Sequence, residues 1–289
     1  MNATLQCLAH IQRLTYHLLN SETKKKILFD NKKYKLTSAY LTVLENLWQN
    51  KNIKYYFPYE FKKVISEMNS LFEGIQFSDP KDLILFLLEV MHEELNVEKN
   101  NINEQYNEID NMNSQYNYEL TFQNFLKYFK DKFNSVISDL FYAMFNTITC
   151  CQNCKVVLHN VQCYNILYFP PQKVKEYKMK TENIVDLYEC FDYYQKSDLI
   201  GEKSYFCNNC RNMTDSVSTT KLLFGPQILT IIFNRERGLE FDVKINFPEY
   251  MDISNYVDYK QNMPTYYELV GVITHLGPAN IEGHFIAFC

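Results

Sequence analysis

Cys151-Gln-Asn-Cys154 and Cys207-Asn-Asn-Cys210 are the stretches of this sequence that say most about its fold. Each pair places two thiols at the tip of a tight turn, and four thiolates complete the tetrahedral shell of a Zn²⁺ ion. The 52 residues between the pairs exceed the common spacing of such motifs, so we expect the turns to lie on hairpins that meet in space. The sequence therefore predicts one structural zinc site formed by four ligands, Cys151, Cys154, Cys207 and Cys210.

Other interpretations of the nine cysteines remain open at this point. The four could be unrelated buried thiols, and Cys150 could compete with Cys151 as a ligand. A redox role is disfavoured, because thioredoxin-like pairs open a helix in a βαβ unit and these pairs do not. The isolated cysteines are expected to be small packed residues rather than nucleophiles. They are Cys7, Cys163, Cys190 and Cys289.

The order of hydrophobic patterns around the cysteine pairs predicts an α+β fold, with helices first and a mostly antiparallel sheet later. Loops are expected over 97–118 and Lys173–Met179, which are polar or charged. Helices are predicted over Leu5–Leu18, Ser38–Trp48, Pro58–Phe72, Asp79–Asn96 and Thr121–Phe133. Strands are predicted within Tyr164–Phe169, Ile228–Phe233 and Leu269–Ile273, which are β-branched and aromatic.

Composition excludes several classes of protein. Apolar residues make up 46% and aromatic residues 16% of the chain, which is enough apolar surface for a folded core. The formal net charge of -5 argues against a nucleic-acid partner, because an acidic surface repels phosphate. No apolar run approaches the roughly 20 residues that span a bilayer, and no signal peptide is evident, so we expect no membrane partner. A location in the cytoplasm or nucleus is expected.

Glycine and histidine cluster at the C-terminal end of the sequence. Three of the seven glycines lie within Gly271–Cys289, together with His275 and His284. The pattern predicts a strand, a glycine-bearing loop and a second strand that opens with Gly283-His284. A histidine held by rigid backbone at the mouth of a cleft suits a general base. A plain hairpin with two surface histidines is the alternative.

In combination, these blocks resemble the ubiquitin-specific protease family of papain-like cysteine proteases. The opening Met1-Asn-Ala-Thr-Leu-Gln-Cys-Leu8 is similar to the end of the family's cysteine box, and the segment around Asp79 to its Gln-Gln-Asp-Ala-x-Glu-Phe block. The cysteine pairs resemble its zinc fingers, and the Gly283-His284 segment its histidine box. Two further similar stretches are Lys221–Arg235 and Phe247–Tyr256.

The resemblance implies a papain-like α+β fold with a helical thumb, a β-rich palm and zinc-ribbon fingers. Residues 1–289 would form a single partial catalytic domain, with a mainly helical part over 1–140, fingers and palm over 141–289, and the fingers around 145–225. It also implies hydrolysis after the C-terminal glycine of ubiquitin. His284 would be the catalytic base, and Asp79 and Gly283 would contact the substrate.

The sequence also departs from the family pattern. The family's nucleophilic cysteine lies two residues before the position of Met1, and the acid or amide that orients the histidine lies beyond Cys289. Phe77-Ser78 replaces the usual Gln-Gln before Asp79. We therefore expect residues 1–289 to lack the nucleophile. A Cys-Tyr encoded just before Met1 would restore the enzyme. The alternatives are a non-catalytic ubiquitin-binding pseudoenzyme and, more weakly, a zinc-ribbon scaffold unrelated to ubiquitin.

Overall fold

A computed structural model describes residues 1–50, 55–74, 79–97, 118–235, 243–259, 264–277 and 284–289. The chain divides into two compact units. Unit 1 comprises Met1–Val97, Ser135–Ile137 and Leu269–Cys289, and unit 2 comprises Glu98–Asn134 and Ser138–Glu268. Gly283, Phe77-Ser78 and most of the predicted 97–118 loop lie outside the described residues.

Unit 1 begins with a series of helices whose apolar faces form its core. Leu8, Leu14, Tyr40, Phe61 and Leu87 are each almost fully buried, one from each of five helices. The helices are α1 (Asn2–Ala9), α2 (Gln12–Leu19), α3 (Ser21–Phe29), α4 (Lys35–Trp48), α5 (Tyr59–Met68) and α6 (Pro80–Leu95), with a short 3₁₀ turn at Ser70–Phe72. The predicted helices at Ser38–Trp48 and Asp79–Asn96 are confirmed, but α3 was not predicted.

The predicted first helix is wrong in one respect, because it is two helices rather than one. Ile11 has ψ 90°, which ends the helical backbone between α1 and α2. The break leaves the carbonyl of Ala9 without a helical partner. Trp48 Nε1 and Thr15 Oγ1 donate to it at 3.1 and 2.9 Å. Thr15 belongs to α2 and Trp48 to α4. The break is not visible in the spacing of the apolar residues, which is regular through Leu8, Ile11, Leu14 and Leu18.

A carboxylate from α6 joins two helices of unit 1. Glu94 accepts hydrogen bonds from the backbone N–H groups of Leu36 and Thr37 at 2.8 and 2.7 Å, and from Thr37 Oγ1 at 2.6 Å. The first N–H groups of a helix have no partner within the helix. Glu94 therefore caps α4 from a distant position in the sequence, where its negative charge also meets the positive end of the helix dipole.

The last strands of unit 1 form an antiparallel hairpin, as the sequence predicted. They are β11 (Val272–Leu276) and β12 (His284–Phe288). Leu276 lies opposite His284, and His275 lies opposite Phe285. The predicted strand at Leu269–Ile273 begins three residues later than expected. Helix α1 contacts both strands of this hairpin.

Unit 2 is built on a four-stranded antiparallel sheet with the order β2-β1-β6-β5. These strands are β1 (Ala143–Cys151), β2 (Val157–Tyr164), β5 (Ser197–Cys207) and β6 (Asn212–Phe224). The predicted mostly antiparallel sheet is confirmed, although two strand pairs are parallel: β3 (Leu167–Phe169) with β7 (Ile231–Phe233), and β4 (Ile184–Asp186) with β8 (Lys244–Asn246). The last pair is antiparallel and joins β9 (Tyr250–Asp252) to β10 (Tyr266–Glu268).

The helices of unit 2 are α7 (Tyr118–Lys132), α8 (Val136–Phe141, which begins in unit 1), α9 (Pro171–Tyr177) and α10 (Leu187–Tyr194). The loop predicted for Lys173–Met179 is wrong, because α9 covers most of it. Pro171 starts this helix, and Val174 is fully buried. Burial of this side chain stabilises the helix although most of its neighbours in the sequence are charged or polar. The core of the unit collects large side chains from both parallel pairs and α10. Examples are Phe169, Val185 and Phe191.

Within the described parts of the chain, none of the helices is both long and apolar enough to cross a bilayer.

Candidate functional site

The two cysteine pairs lie at the same end of the four-stranded sheet of unit 2. The first pair forms the turn between β1 and β2, and the second forms the turn between β5 and β6. Strands β1 and β6 are antiparallel neighbours, with Cys151 opposite Ser216, so the end of one meets the beginning of the other. The sheet register therefore brings together two motifs that are 52 residues apart in the sequence.

The two turns share a backbone geometry. The residue after the second cysteine of each pair, Lys155 or Arg211, has a left-handed conformation with φ of 60° or 52°. Non-glycine residues adopt this conformation at a steric cost. In the first turn, Lys155 N–H donates to Cys151 O at 3.0 Å, and Cys151 N–H donates to Val156 O at 3.0 Å. The repeated conformation directs the two thiols of each pair to one side.

The four sulfur atoms form one compact cluster. The Sγ atoms of Cys151, Cys154, Cys207 and Cys210 all lie within 4.8 Å of one another. Cys151 Sγ is 3.8 Å from Cys210 Sγ, and Cys154 Sγ is 3.6 Å from Cys207 Sγ. Cys151 and Cys207 are buried, and the other two are half-buried. This arrangement could hold a metal ion with four thiolate ligands.

Neighbouring groups adjust the acidity of the cluster. A hydrogen bond with Thr214 Oγ1, 3.3 Å from the sulfur, lowers the pKa of Cys151 to about 6. A hydrogen bond from the Asn209 side chain is the main cause that lowers the pKa of Cys154. A hydrogen bond with Cys154, followed by desolvation, raises the pKa of Cys210 to about 12. A cation at the centre would favour the thiolate form of the cysteines that bind it.

Cys150 lies beside the cluster without joining it. Its Sγ is 3.8 Å from the carbonyl oxygen of Cys151 and 4.0 Å from that of Lys155, and it is not among the four clustered sulfurs. Successive residues of a strand point to opposite faces, so only one of Cys150 and Cys151 can face the second pair. Sequence reasoning missed the hydroxyl of Thr214, which is brought to Cys151 by the sheet register.

The C-terminal hairpin places the two histidines in different environments. His284 is the first residue of β12, and its side chain is exposed. His275 is half-buried, and the centroid of its ring lies 4.9 Å from that of Phe285 on the opposite strand. The ring of His284 is therefore open to a reactant, whereas the ring of His275 is partly covered by an aromatic neighbour.

Helix α1 packs closely against this hairpin at Cys7. Cys7 Sγ lies 3.4 Å from Cys289 Sγ, and a Cβ atom placed on Gly271 would be 3.0 Å from Cys7 Sγ. Burial, followed by the contact with Cys289, raises the pKa of Cys7 to about 12. Cys7 lies within α1 and is half-buried. The contact between Cys7 and Cys289 was not predicted, and neither local sequence carries a signal for it.

Asp79 lies at the beginning of α6. Its Oδ1 atom accepts a hydrogen bond from Lys81 N–H at 3.0 Å, so it caps the helix. The side chain is 45% exposed, and Lys81 Nζ is 3.6 Å from Oδ2. The carboxylate is thus accessible to a ligand while it performs a structural role.

Comparison with known proteins identifies the family. The family model described as ubiquitin carboxyl-terminal hydrolase matches residues 1–289. Mouse ubiquitin carboxyl-terminal hydrolase 17-like protein B is 23% identical over 100% of this chain and 53% of its own length. Human ubiquitin carboxyl-terminal hydrolase 15 is 29% identical over 60% of this chain and 18% of its own length. Yeast (Saccharomyces cerevisiae) ubiquitin carboxyl-terminal hydrolase 8 is 31% identical over 36% of this chain and 25% of its own length.

Solved structures show the same fold. The SAGA Ubp8/Sgf11/Sus1/Sgf73 DUB module bound to ubiquitin aldehyde matches with a TM-score of 0.69 and 20% identity. The match covers 100% of this chain and 59% of that chain. The chain spans between about a fifth and about half the length of the curated relatives named above. The predicted α+β fold of a ubiquitin-specific protease domain is confirmed, and the chain belongs to the ubiquitin carboxyl-terminal hydrolase family.

Proposed function

We propose that this protein takes part in thiol-dependent hydrolysis of the bond that follows the C-terminal glycine of ubiquitin. The observation that carries the proposal is the contact of helix α1 with the β11–β12 hairpin in unit 1. The resemblance places the nucleophile just before this helix and the catalytic base at the start of β12. The helix that would follow the nucleophile and the strand that begins with the proposed base thus contact one another within unit 1.

In this proposal His284 is the general base, and His275 is not. A neutral imidazole takes the proton from the nucleophilic thiol, and the thiolate attacks the carbonyl carbon of the ubiquitin glycine. The imidazolium then returns the proton to the leaving amine. The exposed ring of His284 is available for both transfers, whereas Phe285 covers part of the His275 ring.

We also propose that none of the nine cysteines within residues 1–289 is the nucleophile. Four of them form the sulfur cluster in unit 2. Burial raises the pKa of Cys7 to about 12, that of Cys163 to about 11 and that of Cys190 to about 12, and an active nucleophile requires the opposite shift. In the described part of the chain, no hydrogen bond joins a cysteine to His284.

The sulfur cluster fits a structural Zn²⁺ ion. Zn–S bonds of roughly 2.3 Å in a tetrahedron place the sulfurs roughly 3.8 Å apart. The observed separations of 3.8 Å for Cys151–Cys210 and 3.6 Å for Cys154–Cys207 agree with that value. Asn153 Nδ2 lies 3.3 Å from Cys210 Sγ, where it can donate to a thiolate. A bound zinc ion would fasten the two turns together at the end of the sheet.

The proposed substrate is tested by measuring binding of ubiquitin to residues 1–289 by calorimetry. We expect binding to intact ubiquitin and weaker binding to ubiquitin that lacks its C-terminal tail. Absence of binding to both would overturn the proposal. In the same preparation, a fluorogenic ubiquitin C-terminal amide should release no fluorophore, and turnover abolished by Cys7→Ser would make Cys7 the nucleophile.

The proposed base is tested in a protein that carries residues 1–289 with further residues at both ends and that cleaves the fluorogenic amide. His284→Ala should lower kcat by several orders of magnitude, because base and nucleophile act as a unit. His275→Ala is the matched control and should retain most activity. The reverse ranking would contradict the assignment. If a protein extended at both ends binds ubiquitin but does not cleave the amide, the non-catalytic alternative is the correct one.

The proposed metal is tested by elemental analysis of purified residues 1–289. About one zinc per chain is expected from a single four-cysteine site. Changing the four clustered cysteines to serine should remove the zinc, whereas Cys150→Ser is the matched control and should retain it. Zinc that persists without the four cysteines, or is lost with Cys150 alone, would refute the ligand set.

A further inference from the structure

The segment from Glu22 to Lys35 in unit 1 is a basic surface in an acidic chain. It contains six lysines and two acidic residues, whereas the whole chain has a formal charge of -5. It comprises most of α3 and the turn that leads to α4. Its lysines are Lys24, Lys25, Lys26, Lys32, Lys33 and Lys35.

Internal ion pairs neutralise only part of this charge. Lys24 pairs with Glu45, and Lys35 pairs with Glu67. The other four lysines are exposed, and none of the ion pairs in the described residues uses them. The ammonium groups of Lys26 and Lys33 lie 5.9 and 5.2 Å from the centroid of the buried Tyr34 ring.

Two large apolar side chains project from the middle of the basic segment. Phe29 is 93% exposed and Leu28 is 51% exposed, although Ile27 beside them is fully buried. Helical spacing places Phe29 next to Lys25 and Lys26 on the helix surface. Lys32 and Lys33 follow in the next turn, so lysines flank the phenylalanine on both sides.

We propose that this segment, which we call the Phe29 patch, binds the surface of an anionic phospholipid bilayer. Exposed Phe and Leu side chains flanked by lysines are typical of segments that insert into the interface between headgroups and acyl chains. Lysines near such a surface are attracted by its negative potential. The proposal concerns surface contact, whereas the expectation of no membrane partner was based on the absence of a spanning segment.

The composition of the patch favours a lipid surface over a protein or a nucleic acid. Residues 22–35 contain no arginine. Protein interfaces are enriched in arginine and depleted in lysine, and arginine is the residue that recognises phosphate by paired hydrogen bonds. Lysine acts as a point charge on a flexible stem, which suits headgroups without fixed positions. Glu22 and Asp30 oppose the attraction, so we expect weak and salt-dependent binding.

The test is co-sedimentation of residues 1–289 with vesicles. Vesicles of phosphatidylcholine with about 30% phosphatidylserine should bind the protein, and pure phosphatidylcholine vesicles should not. Raising the salt concentration from about 0.1 M to about 0.5 M should weaken binding strongly, because ions screen exposed charges. Equal binding to both vesicles, or none to either, would overturn the proposal.

Surface variants separate the contributions of charge and apolar insertion. The double change Lys25→Gln with Lys26→Gln should reduce partitioning onto the anionic vesicles about 25-fold, at about fivefold per lysine. Lys127→Gln with Lys130→Gln, which changes two exposed lysines of α7, is the matched control and should have no effect.

Phe29→Ser should reduce partitioning at least tenfold by the loss of one inserted ring. Phe57→Ser is its control, because Phe57 is also exposed, at 71%, and lies outside the patch. All variants are expected to melt at the temperature of the parent protein, because the changed side chains are exposed. Equal losses in the controls, or capture of duplex DNA or polyglutamate by the patch in place of vesicles, would refute the lipid assignment.

Discussion

Asp79→Asn distinguishes the two roles that the structure permits for the carboxylate at the start of α6. Asparagine caps helices about as well as aspartate, so the hydrogen bond from Lys81 N–H, now 3.0 Å, should persist. The helix should therefore lose no more than a few tenths of a kcal/mol in stability. The substitution removes the negative charge. By the family resemblance, this charge would pair with an arginine in the ubiquitin tail.

The expected effect on binding follows from the position of the side chain. The Asp79 side chain is 45% exposed. If its ion pair with the arginine stayed in water, the pair would contribute no more than about 1 kcal/mol to the binding free energy. A tail that covers it would convert the contact to a charge-assisted hydrogen bond worth about 1.5–3 kcal/mol. Lys81 Nζ lies 3.6 Å from Asp79 Oδ2 and competes with the arginine for the carboxylate, which lowers the free energy that the arginine contributes to binding. We therefore expect Asp79→Asn to weaken ubiquitin binding between about tenfold and about 100-fold.

Calorimetry on residues 1–289 measures this change, with Asp82→Asn as the matched control in the same first turn of α6. Tail-less ubiquitin should bind the parent and Asp79→Asn equally, because the contact involves the tail. Asp79→Ala should add a loss of about 1 kcal/mol in unfolding free energy that Asp79→Asn does not show. Unchanged affinity for intact ubiquitin in Asp79→Asn would refute the binding role and leave only the cap.

Three further predictions concern unit 1. Glu94→Gln should lower the free energy of unfolding in urea by about 1.5–3 kcal/mol, because it removes the charge that caps α4, whereas Glu93→Gln on the exposed face should change little. Burial lowers the pKa of His92, so its contribution to stability is complete above the unfolded pKa near 6.5 and is lost progressively as the pH falls from there through the lower folded pKa. Urea unfolding at about pH 7.5 and about pH 5.5 should show a smaller loss in His92→Gln than in the parent, and an equal loss would contradict this. Iodoacetamide should modify exposed Cys289 before Cys7, whose pKa is raised to about 12, and peptide mass spectrometry that found equal rates would refute the assigned burial.

Local patterns in the sequence were sufficient to predict the elements whose determinants are close together in the chain. Asp79-Pro80 marks the beginning of α6, because a capping carboxylate followed by proline is a local signal, and the observed helix starts there. A run of helical patterns followed by a run of strand patterns predicted the fold class. The cysteine pairs predicted four ligands, because each turn is encoded by four consecutive residues, and the structure brings those four sulfurs together.

Tertiary structure decided the features whose partners are far apart in the chain. Ile11 interrupts an apolar stripe that looks continuous, and Trp48, 39 positions from Ala9 in the sequence, binds the freed Ala9 carbonyl. The charged segment Lys173–Met179 forms most of a helix, because Val174 is buried in the core of unit 2. In both cases a contact from another element outweighs the local preference.

The candidate site shows the same division. The sequence pointed to His284 as a candidate base and to four cysteines as candidate ligands, because each lies in a short motif with its own chemistry. The antiparallel register of β1 and β6 was needed to join the two cysteine pairs and to bring Thr214 to Cys151. The packing of α1 against β12 was needed to place Cys7 against Cys289, 282 positions away in the sequence. No local periodicity encodes such a contact, because it depends on which faces the whole core leaves available.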